Sequence, residues 1–173
     1  MCRPKNRAAV DDVNRSGMFG YPTLIKEVDA MKDDTIKLLR ECNAGIKMGV
    51  STLDDVMEHV QSDNLRNLLA KSKETHTKLG NITHEYLQEY HDEGKEPAVM
   101  AKMMSKVKSN VMMGEEHADQ KAADLVTDGC NMGVKSLYRY LNQYPAAEDK
   151  IRKLAKDVAE AEETLVKDLR GYL

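Results

Sequence analysis

The side chains of this sequence that are best suited to chemistry are carboxylates and one histidine, grouped at two points of the chain. Glu74 and His76 are two residues apart, and several glutamates follow one another closely near the C-terminus. Carboxylate oxygens and imidazole nitrogens are ligands for iron, manganese and zinc. One interpretation is therefore a metal site that draws on the following residues: Glu41, Glu74, His76, Glu160, Glu162 and Glu163.

A second interpretation, which we favour, needs no metal. His76 and Glu162 fall on the apolar stripes of their predicted helices, so both side chains are expected to face the interior. Unpaired buried charge is very costly, so each should have a compensating partner. We therefore expect a buried network in which the two residues neutralise each other, with further members drawn from Lys47, Glu74, Lys135 and Glu160.

Other kinds of chemistry find no support in the sequence. It contains no Ser–His–acid order, no phosphate-binding glycine loop and no zinc-protease motif. Cys2, Cys42 and Cys130 form no CxxC pair, and their odd number argues against a secreted disulfide framework, so we expect a cytoplasmic location. Cys42 and Cys130 lie on apolar stripes and are expected to be small core residues, with a redox pair as the alternative.

Charge and hydropathy also limit the partners. The formal net charge of −3 supplies no global basic field, so no nucleic-acid partner is expected. Residues 1–20 contain no apolar run suited to a signal peptide, and no span of about 18 apolar residues suits a membrane helix. We therefore expect no membrane association.

The elements that must position the candidate residues are long amphipathic helices. Apolar residues recur at spacings of three and four, and Gln61–Asn64 interrupts the pattern with N-capping side chains. With 32% charged residues and only 4 Pro in 173, the chain fits one all-α domain at 22–173, after a disordered tail at 1–21. The predicted helices cover residues 22–60, 65–90, 115–144 and 151–172.

A short additional helix is predicted between the second and third long helices. Pro97 and Gly114 bound it, and its apolar stripe consists of Met100, Met104, Val107 and Val111. This crossover helix is expected to cover one face of the bundle. Because methionine adapts to irregular surfaces, the alternative is that this methionine-rich segment forms a homodimer contact.

An internal repeat relates the two halves of the chain. Residues Cys42–Lys47 reappear as Cys130–Lys135, with five of the six positions identical or conservative. The repeat predicts two pseudo-symmetric helical hairpins. It also places Gly45 and Gly133 at equivalent positions, and we expect close helix approach at Gly45, Gly49 and Gly133.

From about Leu24 to Leu173 the chain resembles the ferritin-like superfamily that includes rubrerythrin, especially its uncharacterised bacterial two-hairpin members. The residues that carry the resemblance are Gly94–Pro97 and Thr127–Leu137. The resemblance implies an up-and-down four-helix bundle of two hairpins joined by a crossover. Metal-binding members hold two irons with a Glu on helices one and three and a Glu-x-x-His on helices two and four.

The present sequence contains only part of that ligand pattern. Neither Glu74 nor Glu160 is followed three residues later by histidine, and Gly129 stands at the repeat position of Glu41. The function expected from the sequence is therefore a non-catalytic ferritin-like bundle with a degenerate metal site and a binding, scaffold or stress-related role. The alternative is a metal-dependent oxidoreductase or iron-handling protein with a nonstandard Glu/His site.

Overall fold

Four long α-helices make up the part of the chain that the structure describes. The computed structural model describes residues 21–94 and 117–173, with side chains from residue 24 onward. A short 3-10 helix, Arg170–Tyr172, follows the last α-helix, and the described residues contain no strand. The prediction of an all-α four-helix bundle is confirmed. The helices are α1 (Tyr21–Met57), α2 (Asp63–Glu89), α3 (Ala118–Gln143) and α4 (Asp149–Leu169).

The turn between α1 and α2 forms where the capping residues predicted it. Ser62 is the N-cap of α2, and its hydroxyl oxygen accepts from the backbone N–H of Leu65 at 3.4 Å. Such a short connection makes α1 and α2 an antiparallel hairpin, and the turn between Gln143 and Asp149 does the same for α3 and α4.

Contacts at the two ends of the bundle fix how the hairpins lie against each other. The Asp119 carboxylate, at the start of α3, accepts from the backbone N–H of Gln61 at 2.7 Å and of Ser62 at 3.0 Å. At the other end, the Asp34 carboxylate on α1 accepts from the backbone N–H of Ala146 at 3.0 Å. Hence α1 is antiparallel to α3, and α2 ends at the opposite end of the bundle from the start of α3.

The hydrophobic core consists of two clusters, one in each half of the bundle. The lower cluster, next to the α3–α4 turn, is built around Leu38, Cys42, Ile46, Leu87, Leu137, Leu141, Ile151, Leu154 and Val158. The upper cluster, next to the α1–α2 turn, is built around Leu53, Val56, Leu65, Leu69, Ala123, Val126, Cys130, Leu165 and Leu169. Each of the four helices contributes to both clusters.

The first turns of α1 do not face the core, although their apolar residues continue the spacing of three and four that predicts a buried stripe. Leu24 and Val28 are more than half exposed, at 59% and 56%, and Met31 is also exposed. The reason is length: α1 has 37 residues, whereas α2 has 27, and the bond from Ala146 to Asp34 marks where the bundle ends. Among residues 24–94 and 117–173, the apolar stripe of α1 continues past the ends of the helices that pack against it.

Several predictions fall outside the described residues. The methionine-rich crossover helix and the predicted disordered tail lie there, except that Tyr21 belongs to α1. Among the helices that the structure does describe, none is long and apolar enough to cross a membrane.

Candidate functional site

Between the two hydrophobic clusters lies a layer whose composition differs from both. On α2 the residue between the clusters is His76, and on α4 it is Glu162. On α1 and α3 the corresponding residues are Gly49 and Gly133, which face the His76 ring and the Glu162 carboxyl group respectively. We call these four residues, Gly49, His76, Gly133 and Glu162, the polar layer.

The register of the helices places both glycines near the same height in the bundle. The contacts of Asp34 with Ala146 and of Asp119 with Gln61 align the antiparallel helices α1 and α3. That alignment puts Gly49 level with Asn131, which is two residues from Gly133. At a rise of 1.5 Å per residue, the two glycines therefore differ in height by about 3 Å along the bundle axis. The polar layer therefore crosses the whole bundle at mid-height.

His76 is buried with one ring nitrogen firmly bonded. Its side chain is 2% exposed, and Nδ1 lies 2.8 Å from the backbone carbonyl oxygen of Ser72. A carbonyl oxygen can only accept, so Nδ1 carries the proton and donates. In the neutral ring, Nε2 then holds the free lone pair. A β-carbon on Gly49 would lie 3.5 Å from the ring atom Cδ2, an ordinary packing distance.

Glu162 is buried without comparable compensation. It is 7% exposed, and its Oε2 atom has no hydrogen-bond partner. Burial in apolar surroundings disfavours the charged carboxylate and raises the pKa of Glu162 from its ordinary 4.5 to about 8. A β-carbon on Gly133 would lie 2.7 Å from the carboxyl carbon, closer than real β-carbons come. The side chain occupies the space that this glycine leaves.

The predicted charge-compensated network is not present among the described residues. No ion pair within 4.0 Å joins His76 to Glu162. The lysines assigned to the network, Lys47 and Lys135, are exposed. Instead, His76 and Glu162 each pack against the glycine of their own hairpin. Burial raises the pKa of Glu162, so a bound proton rather than an ion pair keeps its carboxyl group from carrying a buried charge. The network prediction was wrong in this respect.

The six candidate metal ligands are dispersed. Only His76 and Glu162 are in the interior, and Glu41 is half-buried. Glu74 is on the surface, where it pairs with Lys78 at 2.6 Å. Within residues 24–94 and 117–173, no group of three or more His, Cys, Asp or Glu side chains is arranged to hold a metal ion. The remaining two candidates are exposed: Glu160 and Glu163.

The two buried cysteines behave as core residues. Cys42 belongs to the lower cluster and Cys130 to the upper cluster, and both are free thiols. Burial raises the pKa of each thiol to about 12; nearby negative charge acts in the same direction, from Glu41 and Glu162 on Cys42 and from Glu162 on Cys130. A buried neutral thiol is a poor nucleophile, which supports the core assignment over a redox pair.

The repeat glycines differ in their surroundings, although the sequence makes them equivalent. Gly133 faces Glu162, as described above, whereas a β-carbon on Gly45 would meet nothing within 4 Å. The prediction of a close contact is thus correct for Gly133 and wrong for Gly45. Gly49, for which the sequence also predicted a close approach, is the residue that makes room for the His76 ring.

A groove on the surface approaches the polar layer between α2 and α4. It encloses about 400 Å³, and Ser72 and Ala161 belong to its lining. Ser72 is the residue whose carbonyl oxygen binds His76, and Ala161 directly precedes Glu162. Acidic and basic side chains line the groove further out, among them Lys71, Asp157, Glu160 and Asp168. The groove therefore brings solvent to Ala161, the residue next to Glu162 in the sequence.

Comparison with known proteins identifies the class of fold. No family model matches the sequence, and no curated protein is detectably similar to it. Among solved structures, the chain is similar to a DUF305 fragment from Deinococcus radiodurans, with a TM-score of 0.66 and 14% sequence identity over 80% of this chain and 93% of that fragment. At this identity the likeness establishes a shared all-helical bundle fold and nothing about function.

Proposed function

We propose that this protein is a non-catalytic ferritin-like bundle that serves as a binding or scaffold protein, in which a metal-free polar layer replaces the metal centre of its metal-binding relatives. The observation that carries the proposal is the composition of the polar layer. In carboxylate-bridged metal bundles, all four helices project ligands into the core at one height. Here α1 and α3 contribute Gly49 and Gly133 at that height.

The chemistry of the two remaining candidates supports the same conclusion. Glu162, with its pKa near 8, is mostly protonated at neutral pH and is then a weak metal ligand. His76 offers a single lone pair, on Nε2. Two ligands that pack against different helices fall short of the three protein ligands that catalytic zinc and non-haem iron sites generally use.

Two further features support a ferritin-like origin from a repeated hairpin. Each hairpin pairs a glycine on its first helix with a buried ionisable side chain on its second helix. Each hairpin also provides an aspartate, Asp34 or Asp119, that accepts from backbone N–H groups in the turn of the other hairpin. These reciprocal contacts are what a pseudo-twofold axis between the hairpins would produce.

Elemental analysis of protein purified without chelators tests the proposal. We expect well under one iron, manganese or zinc ion per chain, and no rise in melting temperature when these ions are added, because a metal that binds only the folded state would stabilise it. His76→Ala should leave the metal content unchanged, like the control His84→Ala, which removes an exposed histidine of the same helix.

Stoichiometric metal that is lost from the His76→Ala protein but kept by the His84→Ala protein would overturn the proposal. That result would favour the alternative, a metal-dependent oxidoreductase or iron-handling protein. The homodimer contact through the methionine-rich segment and the cytoplasmic location stay predictions. Light scattering of the full chain tests the first of these.

A further inference from the structure

The contact between Glu162 and Gly133 combines three properties that are seldom found together in a core. The carboxyl group lies between two apolar clusters, one of its oxygens has no partner, and the glycine leaves no room beyond that which the carboxyl group fills. A neutral carboxyl group can occupy such a position at moderate cost. An ionised carboxylate there would have little contact with water and no counter-charge among the described residues, which is strongly unfavourable.

We propose that the Glu162–Gly133 contact is a proton-dependent closure of the second hairpin: the neutral acid keeps α3 and α4 packed at mid-height, and ionisation separates them there while the first hairpin stays closed. The difference between the hairpins follows from their buried groups. In α1–α2, the His76 ring is anchored to the Ser72 carbonyl oxygen at 2.8 Å. In α3–α4, no bond anchors Oε2 of Glu162.

The groups that face Glu162 do not supply a compensating charge. The charge of Glu162 acts at a distance on the Cys42 thiol of α1 and on the Cys130 thiol of α3, and the charge of Glu41 acts on Cys42 as well. Both thiols have a pKa of about 12 and stay neutral near pH 8. From α2, His76 lies in the same layer but forms no ion pair with Glu162. No cation among these neighbours stabilises the ionised form.

Proton linkage gives the sign and size of the effect. In the open hairpin Glu162 contacts water and ionises near the ordinary value of 4.5, whereas in the closed hairpin it ionises near 8. Between these values the closed form holds one more proton than the open form. The population of the open form therefore rises up to tenfold for each pH unit between 5 and 8, and it levels off above 8 because both forms are then ionised.

The two buried cysteines report on the two hairpins separately. Cys130 lies on α3, and Cys42 lies on α1. In the full-length protein, alkylation by a small reagent is measured at each cysteine by peptide mass spectrometry between pH 6 and 9. Each thiol reacts only when opening of the structure exposes it to solvent, and exposed thiols ionise with the same pH dependence. The ratio of the Cys130 rate to the Cys42 rate therefore cancels this dependence. We expect this ratio to rise about tenfold per pH unit up to pH 8.

Two variants make the test specific. Glu162→Gln retains the shape of the side chain but cannot ionise, so the ratio should be constant across the pH range. Glu163→Gln changes the exposed neighbouring residue and should behave like the wild type. A contribution from His76 would persist in the Glu162→Gln protein and is thereby distinguished. A constant ratio in the wild type, or an equal rise in the Glu162→Gln protein, would refute the proposal.

A second measurement keeps the test decisive if Glu162→Gln does not fold. The carboxyl carbons of a ¹³C-glutamate-labelled wild-type protein are titrated by NMR, and one of them should titrate well above the others, near pH 8. The proposal is overturned if every glutamate titrates below pH 6. It is equally overturned if stoichiometric metal in the same sample accounts for the pH dependence.

Discussion

The two hairpins of this bundle make room for a buried polar side chain in the same way but satisfy it differently. In the first hairpin, Gly49 leaves space for His76, and the Ser72 carbonyl oxygen accepts its Nδ1 proton. In the second, Gly133 leaves space for Glu162, whose Oε2 has no partner. The comparison shows that a shared helix pattern fixes where polar groups are buried. It does not fix how they are compensated.

The largest effect is expected in the first hairpin. His76→Ala removes a fully buried ring and leaves a cavity, while the Ser72 carbonyl oxygen keeps its helical bond to the backbone N–H of residue 76, so unfolding free energy should fall by about 2–4 kcal/mol. Chemical denaturation measures this, with the exposed His84→Ala as control, for which a change below about 0.5 kcal/mol is expected. A small effect at both positions would mean that His76 is not packed as described.

The double variant His76→Ala/Glu162→Gln tests whether the hairpins are coupled at the polar layer. A network in which His76 and Glu162 neutralise each other would make their effects strongly non-additive. Because no ion pair joins the two residues, we now expect their effects to add within about 0.5 kcal/mol. A coupling energy above about 1 kcal/mol in the double-mutant cycle would restore the network interpretation.

Alanine at the two repeat glycines should have opposite effects. Gly133→Ala forces the buried Glu162 carboxyl group to move and should destabilise the protein by about 1–3 kcal/mol. Gly45→Ala meets nothing within 4 Å, so it should be neutral or stabilising by up to about 1 kcal/mol, the helix propensity gain. Thermal denaturation of both proteins measures the difference. Equal effects at the two positions would contradict the assigned contact.

The pH dependence of stability should also distinguish the two hairpins, with a smaller change in unfolding free energy per pH unit. Because burial raises the folded-state pKa of Glu162 from 4.5 to about 8, the folded protein binds the extra proton in this range. Stability is therefore greatest below pH 4.5 as far as this group is concerned, and it falls by at most about 1.4 kcal/mol per unit as pH rises towards 8. Glu162→Gln should reduce this slope, measured as unfolding free energy at pH 6, 7 and 8, whereas Glu163→Gln should not.

The smallest effect concerns the contact between the hairpins at the upper end. Asp119→Ala removes an acceptor for the backbone N–H groups of Gln61 and Ser62 and should lower stability by about 1 kcal/mol. Asp124→Ala, at an exposed position on the same helix, is the control and should have no measurable effect. Similar melting temperatures for the two variants would show that this contact does not hold the hairpins together.

Local features of the sequence were enough to predict the helices and the residues that face inward. Spacings of three and four placed Leu38, Cys42, His76 and Glu162 in the interior, and Ser62 marked the start of α2, because helical periodicity and capping are local properties of the chain. The internal repeat likewise predicted the close contact at Gly133. These successes depend only on neighbours within a few turns.

The packed bundle was needed to show where each helix ends relative to its partners and which groups surround each buried polar side chain. Leu24 and Val28 continue the apolar stripe yet are exposed, because none of the other helices that the structure describes reaches them. Gly45 and Gly133 occupy equivalent repeat positions, but only Gly133 has a side chain opposite it. Periodicity records the face on which a residue lies, whereas contact and compensation depend on helix length, register and the residue that another helix places across the interface.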